Sequence, residues 1–153
     1  MGWTPNTKSL SCPADTLITD TFAAKFVNWI FSHLLQSGDI SAKYQLNGDT
    51  GNNYAYVYTG GGVTSNSGIT PDNDGINKDK FIEGFMVDVN SEEKVGYFLG
   101  ISKTTGAGNA PDYIEEFGKY VPSPAARITS AKNINTSSGD MATDSNITDL
   151  TTD

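Results

Sequence analysis

Apolar and polar residues alternate with a period of two along much of this chain. Ile40, Ala42, Tyr44 and Leu46 fall at every second position, with Ser41, Lys43 and Gln45 between them. After a polar interruption, Tyr54, Tyr56 and Tyr58 repeat the period. Such a period puts each set on one face of a pleated strand and predicts a half-buried antiparallel sheet. The interruption at 47–53 contains Asn-Gly, Asp-Thr-Gly and Asn-Asn. These residues accept positive φ or bond back to their own backbone, so a β-hairpin or tight β-connection is predicted there.

Further strands are predicted over 80–89 and 95–102. In the second, Val95, Tyr97, Leu99 and Ile101 share one face, while Gly96 and Gly100 thin the other, a mark of close backbone approach. Residues 113–121 and 125–134 predict two more strands, separated by Pro122-Ser123-Pro124, and 146–151 a short last one. Residues 59–79 and 103–112 are polar and glycine-rich and predict long surface loops, the first with a short strand around Ile69. One segment supports two structures. Phe22, Phe26, Ile30 and Leu34 are spaced by four, as on an amphipathic helix capped at Asp20 or Thr21 and stopped at Ser37-Gly38. Val27, Trp29, Phe31 and Leu35 equally fit one face of a strand with Phe26, Ile30 and Leu34 on the other. The aromatic and β-branched content of 26–31 favours the strand, buried on both faces.

Eight or nine strands without a βαβ unit predict an all-β fold, an antiparallel β-sandwich of jelly-roll type. Its 153 residues suffice for one domain, assigned to 14–153. Residues 1–13, polar and without period, predict an extended arm or a loosely held first strand; such an arm docks on a neighbouring subunit or, more commonly, frays. A net charge of −8 argues against nucleic acid and anionic membrane surfaces, both of which require cationic side chains. It leaves room for divalent cations in acidic loops. Cys12 is the only cysteine, so no intrachain disulfide can form. No apolar run approaches the length of a membrane span, and residues 1–7 lack a signal-peptide pattern, so folding in a cytoplasm is expected.

Candidate chemistry is sparse. Cys12 and His33 are the single thiol and imidazole, but neither has a neighbouring sequence that supplies an oxyanion hole or a third group. Asp72, Asp74, Asn77 and Asp79 offer the hard oxygens calcium prefers, although Thr70 and Phe81 stand where an EF-hand needs its first and twelfth ligands. An Asx-rich turn accounts for the same residues. Asp49, Asn52 and Asn53 form a second, weaker group of this kind. The glycine-rich run 106–111 lacks the Lys-Ser or Lys-Thr of a phosphate cradle. Glu115 and Glu116 are strand neighbours and point to opposite faces, so they cannot converge on one bond. The sequons at Asn135 and Asn146 are expected by chance in so Ser-, Thr- and Asn-rich a chain. Tyr54, Tyr56, Tyr58 and Tyr97, with Trp3 and Trp29, could stack on sugars, and the same aromatics serve core or subunit packing.

The run Leu46-Asn47-Gly48-Asp49-Thr50-Gly51-Asn52-Asn53-Tyr54 resembles the N-G-D-T-G-x-N-Y segment of a group of phage and virus-like virion proteins. Residues 80–85 with Glu92-Glu93-Lys94, then 106–111 leading to Gly118-Lys119, and 138–145 follow the pattern in the same order. The resemblance covers the chain from about residue 14 onward. It implies a non-enzymatic virion structural protein, a decoration or cement subunit on the capsid surface made in the host cytoplasm. Its partners would be the major capsid protein and itself, as a homotrimer, without a cofactor. The alternative is a tail-fibre or spike adhesin that binds host glycans through Trp3, Tyr54, Tyr56 and Tyr58, with calcium at Asp72, Asp74, Asn77 and Asp79.

Overall fold

The computed structural model describes residues 2–19, 27–58, 61–71, 78–88 and 92–152, with backbone alone for 63–65 and 152. Its strands are β1 (Trp3–Ser9), β2 (Thr16–Ile18), β3 (Val27–Leu34), β4 (Ala42–Leu46), β5 (Tyr54–Tyr58), β6 (Gly61–Asn66), β7 (Lys80–Val87), β8 (Lys94–Ser102), β9 (Asp112–Tyr120), β10 (Ala131–Asn135) and β11 (Asn146–Thr152). Eight of them hydrogen-bond in the order β1-β11-β3-β7-β8-β9-β5-β6, and β2-β10-β4 form a second sheet. All pairings are antiparallel, as alternation along the chain predicts. The result is an antiparallel β-sandwich of two unequal layers. The strands beyond the expected eight or nine have weak periods: β2 has only three residues, and β6 begins Gly-Gly.

The described part of the ambiguous segment is strand. β3 pairs with β11 on one side and β7 on the other. Asn28, Ile30, Ser32 and Leu34 point into the sandwich and are buried, while Trp29 and Phe31 point away from it. The helical reading needed Phe22 and Phe26, which lie outside the described residues. The N-terminal arm is a strand of its own sheet: β1 pairs with β11 from Trp3↔Thr152 to Ser9↔Asn146. β11 is therefore interior to the sheet rather than a closing edge.

The connection at 47–53 is tight, but it is not a hairpin. β4 pairs with β10 in the small sheet, and β5 pairs with β9 and β6 in the large one, so 47–53 carries the chain between layers. Asn47 and Gly48 turn the chain with φ of 55° and 66°. Gly51 N–H donates to Asp49 Oδ1 at 2.8 Å, and Asn53 Nδ2 donates to Asp49 Oδ2 at 2.9 Å. Asn47 reaches across to 127–129, donating to Arg127 O at 2.8 Å and accepting from Thr129 N–H at 2.8 Å. The strand expected over 125–134 is confined to β10. Its first half is irregular and is pinned by Asp88, whose Oδ2 accepts the Ile128 N–H at 2.6 Å and whose Oδ1 lies 3.3 Å from the buried Lys94 ammonium.

The core lies between the layers. Ile30, Leu34, Ile82, Met86 and Phe98 of the large sheet meet Leu17, Ala42, Tyr44, Leu46 and Ala131 of the small one. Gly84 lets the Phe98 ring lie against the sheet: a Cβ there would sit 2.5 Å from Phe98 Cε1. At Gly100 the carbonyl of Pro71 comes within 2.6 Å of where a Cβ would be. That is the close backbone approach the glycine implied.

Candidate functional site

The large sheet carries large apolar side chains on both faces. Its inner face packs on the small sheet, and register fixes what lies on the other. Residues Pro5, Leu150, Trp29, Phe85, Tyr97, Phe117, Val57 and Gly62 are Cα partners in succession, forming one row across all eight strands. None of them is charged. Val27, Val87 and Val95 make a second row on one side, ending in Lys119 and Ala55. On the other side, Phe31, Glu83, Leu99 and Glu115 make a third, beyond which lie His33, Phe81, Ile101 and Tyr113. Trp3, Val57, Phe81, Val95, Ile101, Tyr113 and Phe117, between 41% and 77% exposed, all belong to this outer face. An antiparallel sheet ordinarily turns its polar residues this way. A contiguous apolar surface of this kind marks an interaction site.

The two halves of the face differ in relief. On β1, β3 and β7, large rings touch one another. Trp3 meets Trp29 edge-on at 5.7 Å between centroids, Trp29 meets Phe31 at 5.3 Å, and Phe31 meets Phe81 at 6.1 Å. Toward β8, β9 and β5, the small residues Ala55 and Gly62 and the strand backbone at Gly96 and Gly118 floor a trough of about 710 Å³, walled by Phe85, Val87, Val95, Tyr97, Phe117 and Val57. Phe85 and Tyr97 stack at its edge, 5.6 Å apart. Glu83 is the one carboxylate amid the rings. It accepts from Trp29 Nε1 at 2.8 Å, with the Tyr97 hydroxyl 3.4 Å from the same oxygen. Burial, and then the Glu83 charge, raise the Tyr97 phenol above its ordinary value.

Of the residues expected to interact, Trp3, Trp29 and Tyr97 are on this face. Tyr54 is not: it is buried and stacked on Tyr120 at 4.7 Å, so it offers no platform for a ligand. Tyr56 and Tyr58 share its inward side of β5 and are half-buried. Of the proposed calcium ligands, Asp72, Asp74 and Asn77 lie outside the described residues. Asp79 is engaged by protein, accepting the Gln36 N–H at 3.2 Å and pairing with Lys103 at 3.4 Å. Asp49 spends both oxygens on the corner described above. Among the described residues no cluster of three or more His, Cys, Asp or Glu could hold a metal ion.

Cys12 is a free, exposed thiol in the loop after β1, and His33 is exposed near the end of β3. Glu115 is exposed on the outer face and Glu116 buried on the inner, as adjacent strand residues must be. Asn135 is buried, with Oδ1 accepting the Ser41 N–H at 2.7 Å, so its sequon is structural. Sequence reading named Trp29 and Tyr97 as candidates for stacking, but it did not assign Phe85 and Phe117 or the row that joins all four. Its signal was present in the apolar content of 26–31 on both parities and in the set 95–101, but alternation does not say which face is out.

No protein-family model matches the chain, and no curated protein matches it. Among solved structures it is similar to Scytalido-glutamic peptidase bound to a peptide-based transition-state analogue. The identity is 13% and the TM-score 0.36, over 94% of this chain and 74% of that one.

Proposed function

We propose that this protein is a non-enzymatic structural subunit of a virion, a β-sandwich that attaches to the capsid surface and strengthens it. The observation that carries the assembly role is the outer face of the large sheet, an uncharged row of side chains crossing eight strands. A chain that leaves so much aromatic surface in water is stabilised by covering it, and its solubility in isolation rests on its net charge of −8. The virion context rests on the resemblance of residues 46–54 and the three segments that follow the same pattern. In the fold, that motif is a corner between layers, a structural device with no chemistry of its own. The exposed 103–111 loop between β8 and β9 projects from one end of the sandwich and suits contact with the shell.

The test is co-sedimentation with purified, undecorated capsids of the source virus. Binding at a fixed stoichiometry, with a rise in the melting temperature of the shell, is the expected outcome. A protein that stays in the supernatant at every ratio overturns the capsid role.

A further inference from the structure

We infer that the outer face of the large sheet is a self-association surface, covered by the same face of a second copy about a twofold axis parallel to the strands. This rests on the reading of that face as an assembly interface and goes on to name its occupant. Three observations favour a second copy.

The first is register. The eight-stranded order has its midpoint between β7 and β8. A twofold axis there, running along the strands, sets β3 against β9 of the other copy and β7 against β8. Residues keep their row under that operation, so Trp29 meets Phe117 and Phe85 meets Tyr97. Aromatic rings of one copy thus lie against aromatic rings of the other along one uncharged row, and each contact is made twice. Such self-complementarity is what an isologous interface requires. The second observation is charge. Among the outward side chains described, only Glu83, Glu115 and Lys119 are charged, a net of −1 in a chain of net −8, so two acidic molecules meet here with most of their charge on other surfaces. Glu83 already accepts from Trp29 and has Tyr97 beside it, and a carboxylate so supplied can lose water with less cost. The third is area. Eight strands spaced about 4.8 Å and three rows about 7 Å apart give roughly 700 Å² per copy, close to the roughly 800 Å² per partner of a standard stable interface. Face-to-face sheets also pack in this way within sandwiches.

Sedimentation velocity of the whole chain, alone and with undecorated capsids, tests the inference beside a Phe117→Arg/Val57→Arg variant. Both side chains are more than half exposed, so the variant keeps its fold, checked by its circular dichroism and melting temperature. The expected result is a dimer for the parent at about 50 µM and a dissociation constant raised at least about 100-fold in the variant. Should that variant not fold, Val95→Arg in the second row of the same face, a side chain 47% exposed, replaces it. A parent that is monomeric or trimeric, or a folded variant that dimerises as tightly as the parent, overturns the inference. A monomer that binds shells, with binding lost in the variant, overturns the second copy as occupant and leaves the capsid role standing. A dimer that does not bind shells supports the inference and removes the capsid role.

Discussion

The Tyr54 hydroxyl takes the Leu46 N–H at 2.9 Å and lies 3.1 Å and 3.2 Å from the carbonyls of Leu46 and Asp49, so one side chain ties the start of the layer crossing to its end. Replacing Tyr54 with Phe leaves the Leu46 N–H buried without that partner, which costs about 1–3 kcal/mol and lowers the urea midpoint by the corresponding amount. Asp149 is the opposite case. It is buried on the inner side of β11, neither carboxylate oxygen has a hydrogen-bond partner, and burial pushes it up to about 7. The native state therefore holds this proton more tightly than the unfolded chain does. The resulting stability is fully present below about pH 4, the unfolded value, and is lost as pH rises through about 7. The Asp149→Asn variant keeps the shape and removes the titration. Subtracting its unfolding free energy from that of the parent between pH 4 and 8 should give a difference that grows by about 2–4 kcal/mol in favour of the variant. A pH-independent difference would count against this account of Asp149. Neither feature was visible in the sequence: Tyr54 belonged to an alternating set that suited either a core or a binding surface, and Asp149 sat in an expected short last strand whose inward side the pattern did not identify.

Glycines and one buried ion pair fix the elements in register. A Cβ at Gly96 would lie 1.9 Å from the carbonyl oxygen of Phe85 and 2.6 Å from Met86 Sδ, so β7 cannot stay in place on β8. Gly96→Ala should cost more than about 3 kcal/mol or abolish cooperative melting. Gly108→Ala, with nothing within 4 Å, should leave the melting temperature within about 2 °C of the parent. Lys94 and Asp88 are both fully buried at the end of the β7–β8 pair, where Asp88 also holds Ile128 and Lys94 donates to Glu92 O at 2.7 Å. Lys94→Met strands the Asp88 carboxylate and should destabilise by about 3–5 kcal/mol, read from denaturant unfolding. The sequence made Gly96 and Gly100 legible as points of close approach because strand period and missing side chains are local facts. The Lys94–Asp88 pair and its grip on 127–128 were not legible, since they join segments about forty residues apart through a layer crossing.

At the scale of the molecule, the unequal layers decide the exposure of the large sheet. Three strands cover one side of eight, and among the described residues no layer covers Trp29, Phe31, Phe85, Tyr97 and Phe117 on the other. If apolar contact between copies of an acidic chain covers it, added salt should tighten the dimer. Raising sodium chloride from about 20 mM to about 500 mM shortens the reach of the repulsion between the copies from about 20 Å to about 4 Å, and the dissociation constant is expected to fall severalfold in sedimentation equilibrium. An interface held by exposed ion pairs would weaken over the same range.

Alternation by itself determined that the chain is an antiparallel β-sandwich, because a period of two in the side chains is also the period of the pleat. It determined the turn at 47–53 as well, since Asn, Asp and Gly carry their backbone preferences into any fold. It could not determine which side of a strand faces inward, because both sides of β3 and β8 offer apolar or glycine positions and a pattern has no direction. Strand order decided that. Once β11 lay between β1 and β3, and β4 crossed to the small sheet, Phe98, Ile30 and Ile82 met the second layer, and the more strongly alternating set at 95–101 was left facing out.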